Sequence, residues 1–380
     1  MLKDPRVERF ARLIVAHALK VKPGERVLVD ALEDCEELII AVVEAISTAG
    51  AVPFVLHQSL PVRRAWLRGA TDAVFQTWFE QTVRIRKDMD CILSLRGQDN
   101  VCEFADVSPE TLRKFGAWTL KAAHESAKPG GRVTVCRFPS KSLAQQAGMS
   151  TEAFVDWFFD LCTMDFRVLH REMEPLKAAL DRAENVHVVA PGTDLSFSIK
   201  GVECGISAGT WNIPDGETAM GIVRESANGR IAYNVPSHHL GHVFRDIALT
   251  FKDGRVVDVE ANDRERVESI LDTDAGARYV VEFAIGVNPL LRRHIVDTLF
   301  DEKMAGSLHF TPGGKDAEGK TSQVHWDIVQ SHLPHYGGGE IWLDGRLWRK
   351  DGLFVDSELQ RLNPDPLEAT LRTAGPMVLP

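Results

Sequence analysis

Apolar residues recur at helical spacing near the start of the chain, at Val7, Phe10, Ala11, Ile14 and Ala18, which predicts a helix over Val7–Lys20. A Lys22-Pro23-Gly24-Glu25 turn leads into a Val-rich strand over Arg26–Ala31 (RVLVDA). A strongly apolar helix over Glu36–Thr48, closed by Gly50, precedes a strand over Val52–Leu56. Asp90–Leu95 and Arg132–Cys136 read as two more strands, with helical text between them, as over Pro109–Ala123. Strands that alternate with helices in this way predict a largely parallel sheet covered on both faces. Thr151–Glu184 reads as long and helical, and its aromatics Phe154, Trp157, Phe158 and Phe159 read as core.

After about Asn185 the pattern changes. VHVVA, LSFSI, RIAYNV, IALTF and RVVDVE follow one another with turns between, broken by one helix near Asp263–Thr273. That is antiparallel text. The expected fold is α/β: an N-terminal, largely parallel domain over residues 1–185, then a mixed, mainly antiparallel α+β domain over residues 186–380.

A length of 380 residues fits two or three domains at roughly 150 residues each. Hydrophobic residues at 44 % and charged ones at 26 % exclude a disordered or collagen-like chain. The net charge of −10 repels phosphate backbones, so nucleic acid is not the expected partner. No apolar run reaches the roughly 18 residues of a membrane span, and MLKDPRVERF lacks the apolar core of a secretory signal. Neither a membrane partner nor export is expected, and the cytoplasm is the expected location. The six cysteines form no CxxC and sit mostly in hydrophobic text, as buried reduced thiols do. No GxGxxG or GxxxxGK[ST] follows any strand, so the first domain lacks phosphate-cradling chemistry.

Candidate chemistry concentrates in the second half. His325-Trp326-Asp327 would present an imidazole and a carboxylate on one face of a strand. His309 comes 16 residues earlier, after a helical-looking stretch His294–Lys303 and before a Gly-rich turn. Glu282 lies in the hydrophobic strand VVEFAIG, where a carboxylate is costly unless paired or metal-bound. Glu217 follows the Pro-Gly turn of WNIPDG. Three carboxylates and two imidazoles without thiolates suit two borderline divalent ions bridged by carboxylates, not a closed structural zinc site. Trp211 and Trp326 flank these ligands and are expected to wall them off from water. His238, His239 and His242 read as polar loop histidines, and Arg292-Arg293-His294 as a solvated helix face.

The phrases WNIPDGE, GARYVVEFAIGVN, DTLFDEKMAGSLHF and SQVHWDIV occur in this order. With VKPGERVLVDA and PGTDLSFSI they resemble the thermophilic metallo-aminopeptidases of the aminopeptidase T and aminopeptidase S type, over nearly the whole chain. The resemblance implies two divalent ions (Zn, Co or Mn) on Glu217, Glu282, His309, His325 and Asp327. It further implies proton handling by Glu282 or Glu217, a peptide or amide substrate, and a homodimer. One departure stands out. The family carries a Tyr shortly after the histidine of the SLH segment, and here Asp316 lies about where it should be. Either another oxyanion donor serves, with Lys315, Lys320 and Tyr336 as the candidates, or this member does different chemistry. The HxD segment also resembles the iron-dependent 2,5-dihydroxypyridine dioxygenases, in which His309, His325 and Asp327 would hold a single Fe(II). A non-catalytic binding protein that kept the scaffold is the third class; the five ligand residues argue against it.

Overall fold

The computed structural model describes residues 4–315 and 319–379, with only the backbone of Lys315. The chain forms two compact units. One comprises Met1–Phe166, Gly209–Asp215 and Gly375–Pro380; the other comprises Arg167–Ala208 and Gly216–Ala374.

In the first unit, five parallel strands form one sheet, in the order Val52–Gln58, Arg26–Glu33, Cys91–Gly97, Arg132–Arg137 and Asn212–Ile213. The central strands are apolar on both faces, and Val27, Val29, Ala31, Cys91, Leu93 and Leu95 are fully buried. Each buried Val or Leu contributes about 1.5–3 kcal/mol. This is the parallel sheet that the alternating text predicts. The first helix begins at Pro5, capped by Asp4, whose carboxylate accepts from Arg6 N at 2.8 Å. It changes to wider π turns over Ile14–Ala18, where Leu19 N donates to Ile14 O.

The long helical text over Thr151–Glu184 is two helices, Thr151–Cys162 and Phe166–Arg182. The break is local: Thr163 caps the first helix, and Met164 turns extended to bridge Pro376. The expected change of domain at 185 lies just past the second helix. The segments Gly209–Asp215 and Gly375–Pro380 join the first unit across that linear division.

The second unit holds an eight-stranded sheet and a six-stranded sheet, both paired antiparallel throughout. The six-stranded sheet runs Thr321–His325, Ser307–Lys315, Val280–Gly286, Glu217–Met220 and Gly205–Ser207, with Val329–Ser331 also on Ser307–Lys315. Its inner face meets the larger sheet through Phe283 and Phe310, which lie 5.0 Å and 4.8 Å from Phe197 between ring centres. Phe310 also meets Phe251 edge-on at 5.6 Å.

Gly286 ends the Val280–Gly286 strand against the backbone of residues 302–304. A methyl there would run into Met304 O and Ser307 Oγ and come within 2.7 Å of Glu302 O. Gly286→Ala is expected to cost about 3 kcal/mol in urea unfolding. A wild-type midpoint would show that the 302–304 segment yields easily.

Candidate metal centre

The register of the six-stranded sheet sets the site. Glu282 opposes Thr311, Ala284 opposes both His309 and Ala219, and Gly286 opposes Glu217. Directly opposed residues share a face, as do residues two apart along one strand. Glu217, Glu282, His309 and Thr311 therefore project together. Ala284, Ala219 and Gly286 stand among them and leave the space open, while Phe283 and Phe310 turn to the core.

His325 is the last residue of its strand, so the HxD segment is not itself a strand; Trp326–Ile328 form a link before Val329–Ser331. The pair still converges, with His325 Nε2 3.2 Å from Asp327 Oδ1. Thr311 Oγ1 donates to the same Asp327 oxygen at 2.8 Å. Trp326 is buried, and its Nε1 donates to Ser237 Oγ at 2.9 Å. Trp211 is 63 % exposed, so it shields nothing. The SHHLGH histidines lie on a hairpin, Ser237–His239 with His242–Phe244. His239 stacks on Trp326 at 4.7 Å and is pushed down to about 3 by burial and by His238 beside it, so it is neutral.

The structure adds two residues that the sequence reading missed, Glu302 and Lys303. They follow a short helix, Thr298–Asp301, not the longer one expected over His294–Lys303. Val296 has a left-handed φ of 62°, and Asp297 caps the helix by accepting from Leu299 N, so it cannot begin earlier. Asp301, Glu302 and Lys303 are 2 %, 5 % and 0 % exposed. Three consecutive charged residues between Leu299-Phe300 and Met304-Ala305 were the available signal. On a short irregular segment, no periodicity shows that all three point inward.

Three sets of side chains bring ligand atoms together: Glu217, Glu282 and His309; Glu282, His325 and Asp327; Glu302, His309 and Asp327. His309 Nε2 is 3.2 Å from Glu282 Oε1, and its Nδ1 is 3.7 Å from Glu217 Oε2. Lys303 Nζ contacts Glu217 Oε1 and lies 2.7 Å from Glu302 Oε1.

The electrostatics are those of a cluster short of positive charge. Burial opposes protonation of His309, yet Glu217, Glu282 and Asp327 hold its pKa up at about 10. Asp327, with Glu282 and Glu302, raises His325 to about 9 against the opposing effect of burial. Burial raises Glu302 to about 8, against the pull of Lys303. Burial would raise Asp327 too, but His325, His309 and the Thr311 hydroxyl hold it far below the usual carboxylate range.

The donor set fits divalent metal. Buried His309 Nδ1 makes no hydrogen bond. Its 3.7 Å separation from Glu217 Oε2 is too long for one. Two ligands at about 2.0–2.2 Å from one ion stand roughly 3–4 Å apart. No cysteine belongs to any of the three sets.

The expected oxyanion donors fare differently. The Tyr336 hydroxyl accepts from His294 N at 3.0 Å and lies 2.6 Å from His294 Nδ1. Tyr233 OH donates to Phe310 O at 3.0 Å, and the Tyr279 ring faces the Arg224 guanidinium at 4.0 Å. All three phenols are thus engaged elsewhere. Lys320 is exposed. Asp316 and the Lys315 side chain lie outside the described residues. Arg292 pairs with Asp365 at 2.7 Å and Glu368 at 2.8 Å, and its segment is not helical.

A parallel α/β unit and an antiparallel unit carrying a carboxylate–imidazole cluster make up a protein with a candidate centre for divalent metal. Residues 3–332 match the thermophilic metalloprotease (M29) family, and the chain belongs to that family of metal-dependent peptidases. Aminopeptidase PepS of Streptococcus thermophilus is 24 % identical over 351 residues, 80 % of this chain and 82 % of that protein. Aminopeptidase 2 of Geobacillus stearothermophilus is 36 % identical over 102 residues, 26 % of this chain and 25 % of that protein. Among solved structures, wild-type AmpT from Thermus thermophilus superposes with a TM-score of 0.77 at 21 % identity, covering 93 % of this chain and 99 % of that one. The 2,5-dihydroxypyridine dioxygenase of Pseudomonas putida KT2440 shares the fold at a TM-score of 0.58 and 12 % identity, covering 93 % of this chain and 98 % of that one.

Proposed function

We propose that this chain is an aminopeptidase whose second unit holds two divalent ions (Zn, Co or Mn) and removes the N-terminal residue of a peptide. The observation that carries this reading is Glu282, common to a set with Glu217 and His309 and to a set with His325 and Asp327. A carboxylate shared in this way would help to hold two ions side by side. Bound there, the ions would polarise the scissile carbonyl and lower the pKa of water for attack.

The protein groups divide the remaining work by depth. Glu217 is 7 % exposed and tied to Lys303, whereas the Glu282 side chain is 26 % exposed. Glu282, shifting its coordination, therefore takes and returns the proton at the open side, and Glu217 serves as a fixed ligand. Thr311 fixes the Asp327 carboxylate, and buried Trp326 keeps water from its back. Among the described residues no helix is long and apolar enough to cross a membrane. The cytoplasm and a homodimer complete the proposal; the family resemblance supports the dimer, and six free cysteines support a reducing compartment.

Each of the three ligand sets contains one histidine. A mononuclear oxygenase needs two on one ion. The dioxygenase likeness therefore carries only the fold.

The test is metal content by mass spectrometry, for protein purified without chelator and for Asp327→Ala, together with hydrolysis of amino-acid p-nitroanilides. The expected result is about two equivalents with peptidase activity, both lost in the variant. One iron equivalent with oxygen uptake on a dihydroxylated pyridine would replace this reading by the oxygenase. No metal after titration would reject both.

A further inference from the structure

We propose that Lys303 is a resident counter-ion of this centre, a positioning residue that balances Glu217 and Glu302 in the absence of metal and tempers the affinity for divalent ions. The inference rests on the metal-centre reading above.

Side-chain exposure grades the cluster from floor to mouth. Lys303 is at 0 %, His309 at 1 %, Glu302 and Glu217 at 6 % and 7 %, Asp327 at 19 %, Glu282 at 26 % and His325 at 39 %. Lys303 is on the floor, out of reach of a substrate entering past His325, so it is not a catalytic residue. A lysine usually keeps its ammonium in water by stretching out its stem. Burying it is costly unless it is paired. Here the ammonium engages one oxygen each of Glu217 and Glu302. Each carboxylate also belongs to a ligand set with His309. Glu217 Oε2 lies 3.7 Å from His309 Nδ1, and Glu302 belongs to the set with His309 and Asp327.

Two consequences follow from this one charge. Without ions, Lys303 is the cation held directly on Glu217 and Glu302, alongside the His309 and His325 imidazoles, so it helps to stabilise the empty site. With ions, it is a like charge beside them and opposes their binding. Removing the ammonium should therefore destabilise the empty protein more than the loaded one, and by linkage strengthen ion binding.

The experiment compares wild type, Lys303→Met and Lys303→Arg after stripping with EDTA. It reads the Kd for Mn2+ by calorimetry and the Tm with and without Mn2+. Lys303→Met should bind Mn2+ at least about tenfold more tightly and show a larger rise in Tm on loading. Lys303→Arg, which keeps the charge, should match wild type. A Lys303→Met protein that folds only with Mn2+ present also supports the proposal, since the ion then replaces the ammonium. Binding equal to or weaker than wild type overturns it, as does failure of Lys303→Met to fold even with Mn2+. If wild type and variants bind no ion by calorimetry or mass spectrometry, the metal-centre reading itself fails and this inference falls with it.

Discussion

Glu282→Gln is expected to reduce kcat/KM by about 10²–10³-fold or more, with the fold intact. The figure follows from the roughly 10²–10⁴-fold that a positioned proton-transfer group contributes to a rate. Glutamine keeps the shape of the side chain, so the Val280–Gly286 strand and its pairing with His309 on the neighbouring strand should persist. What disappears is the charge common to two ligand sets and the 3.2 Å contact with His309 Nε2. Metal content should fall together with the rate, because neither set keeps its full complement of charge. Circular dichroism and the urea midpoint of the stripped variant should stay near wild type, since one of four crowded carboxylates has been neutralised. A glutamine variant that retains its full metal complement and rate would show that Glu282 is neither a shared ligand nor the proton carrier.

Stripping the metal should make stability fall as pH rises from about 6.5 to 10. His309 and His325 sit at about 10 and about 9 in the folded, metal-free protein, above the ordinary 6.5. A group whose pKa is raised by folding stabilises fully below its ordinary value and loses that stabilisation as pH climbs through the folded value. Glu302, raised from 4.5 to about 8, acts in the same direction, because its ionised form is the one that burial disfavours. Asp327 acts on the acid side: held low, it stabilises above 3.8 and loses that contribution as pH falls. For fully buried His309, 3.5 pH units at 1.36 kcal/mol each correspond to on the order of 5 kcal/mol. Spread over a unit of this size, that is a drop in Tm of about 10 °C. With metal bound, the imidazoles ligate as neutral bases, so loading releases protons and strengthens with pH. Melting curves in EDTA and in Mn2+ from pH 5 to pH 10 should therefore diverge. Parallel curves would mean that the histidines are not the groups displaced by the metal.

The two architectures were legible because each leaves a periodic trace. Near-continuous apolar runs such as CILSL mark strands buried on both faces, and VHVVA to RVVDVE mark an antiparallel series. Glu282 was legible because a lone carboxylate in VVEFAIG contradicts its surroundings. Asp301-Glu302-Lys303 left no such trace. It sits on one turn of helix and a bend, where neither a period of 3.6 nor of 2 applies, and charged text there reads as surface.

What the sequence determined by itself is a set of candidate residues, Glu217, Glu282, His309, His325 and Asp327, and the kind of sheet each domain holds, since motif text and alternation are local properties. Tertiary structure alone decided how those residues meet. Strand register put Glu217, Glu282 and His309 on one face around Ala284 and Gly286. A left-handed Val296 and the Asp297 cap turned Glu302 and Lys303 inward beneath them. Register and loop direction are fixed by packing between segments tens of residues apart, through Phe197, Phe283 and Phe310 in the core, and no window of sequence contains that information.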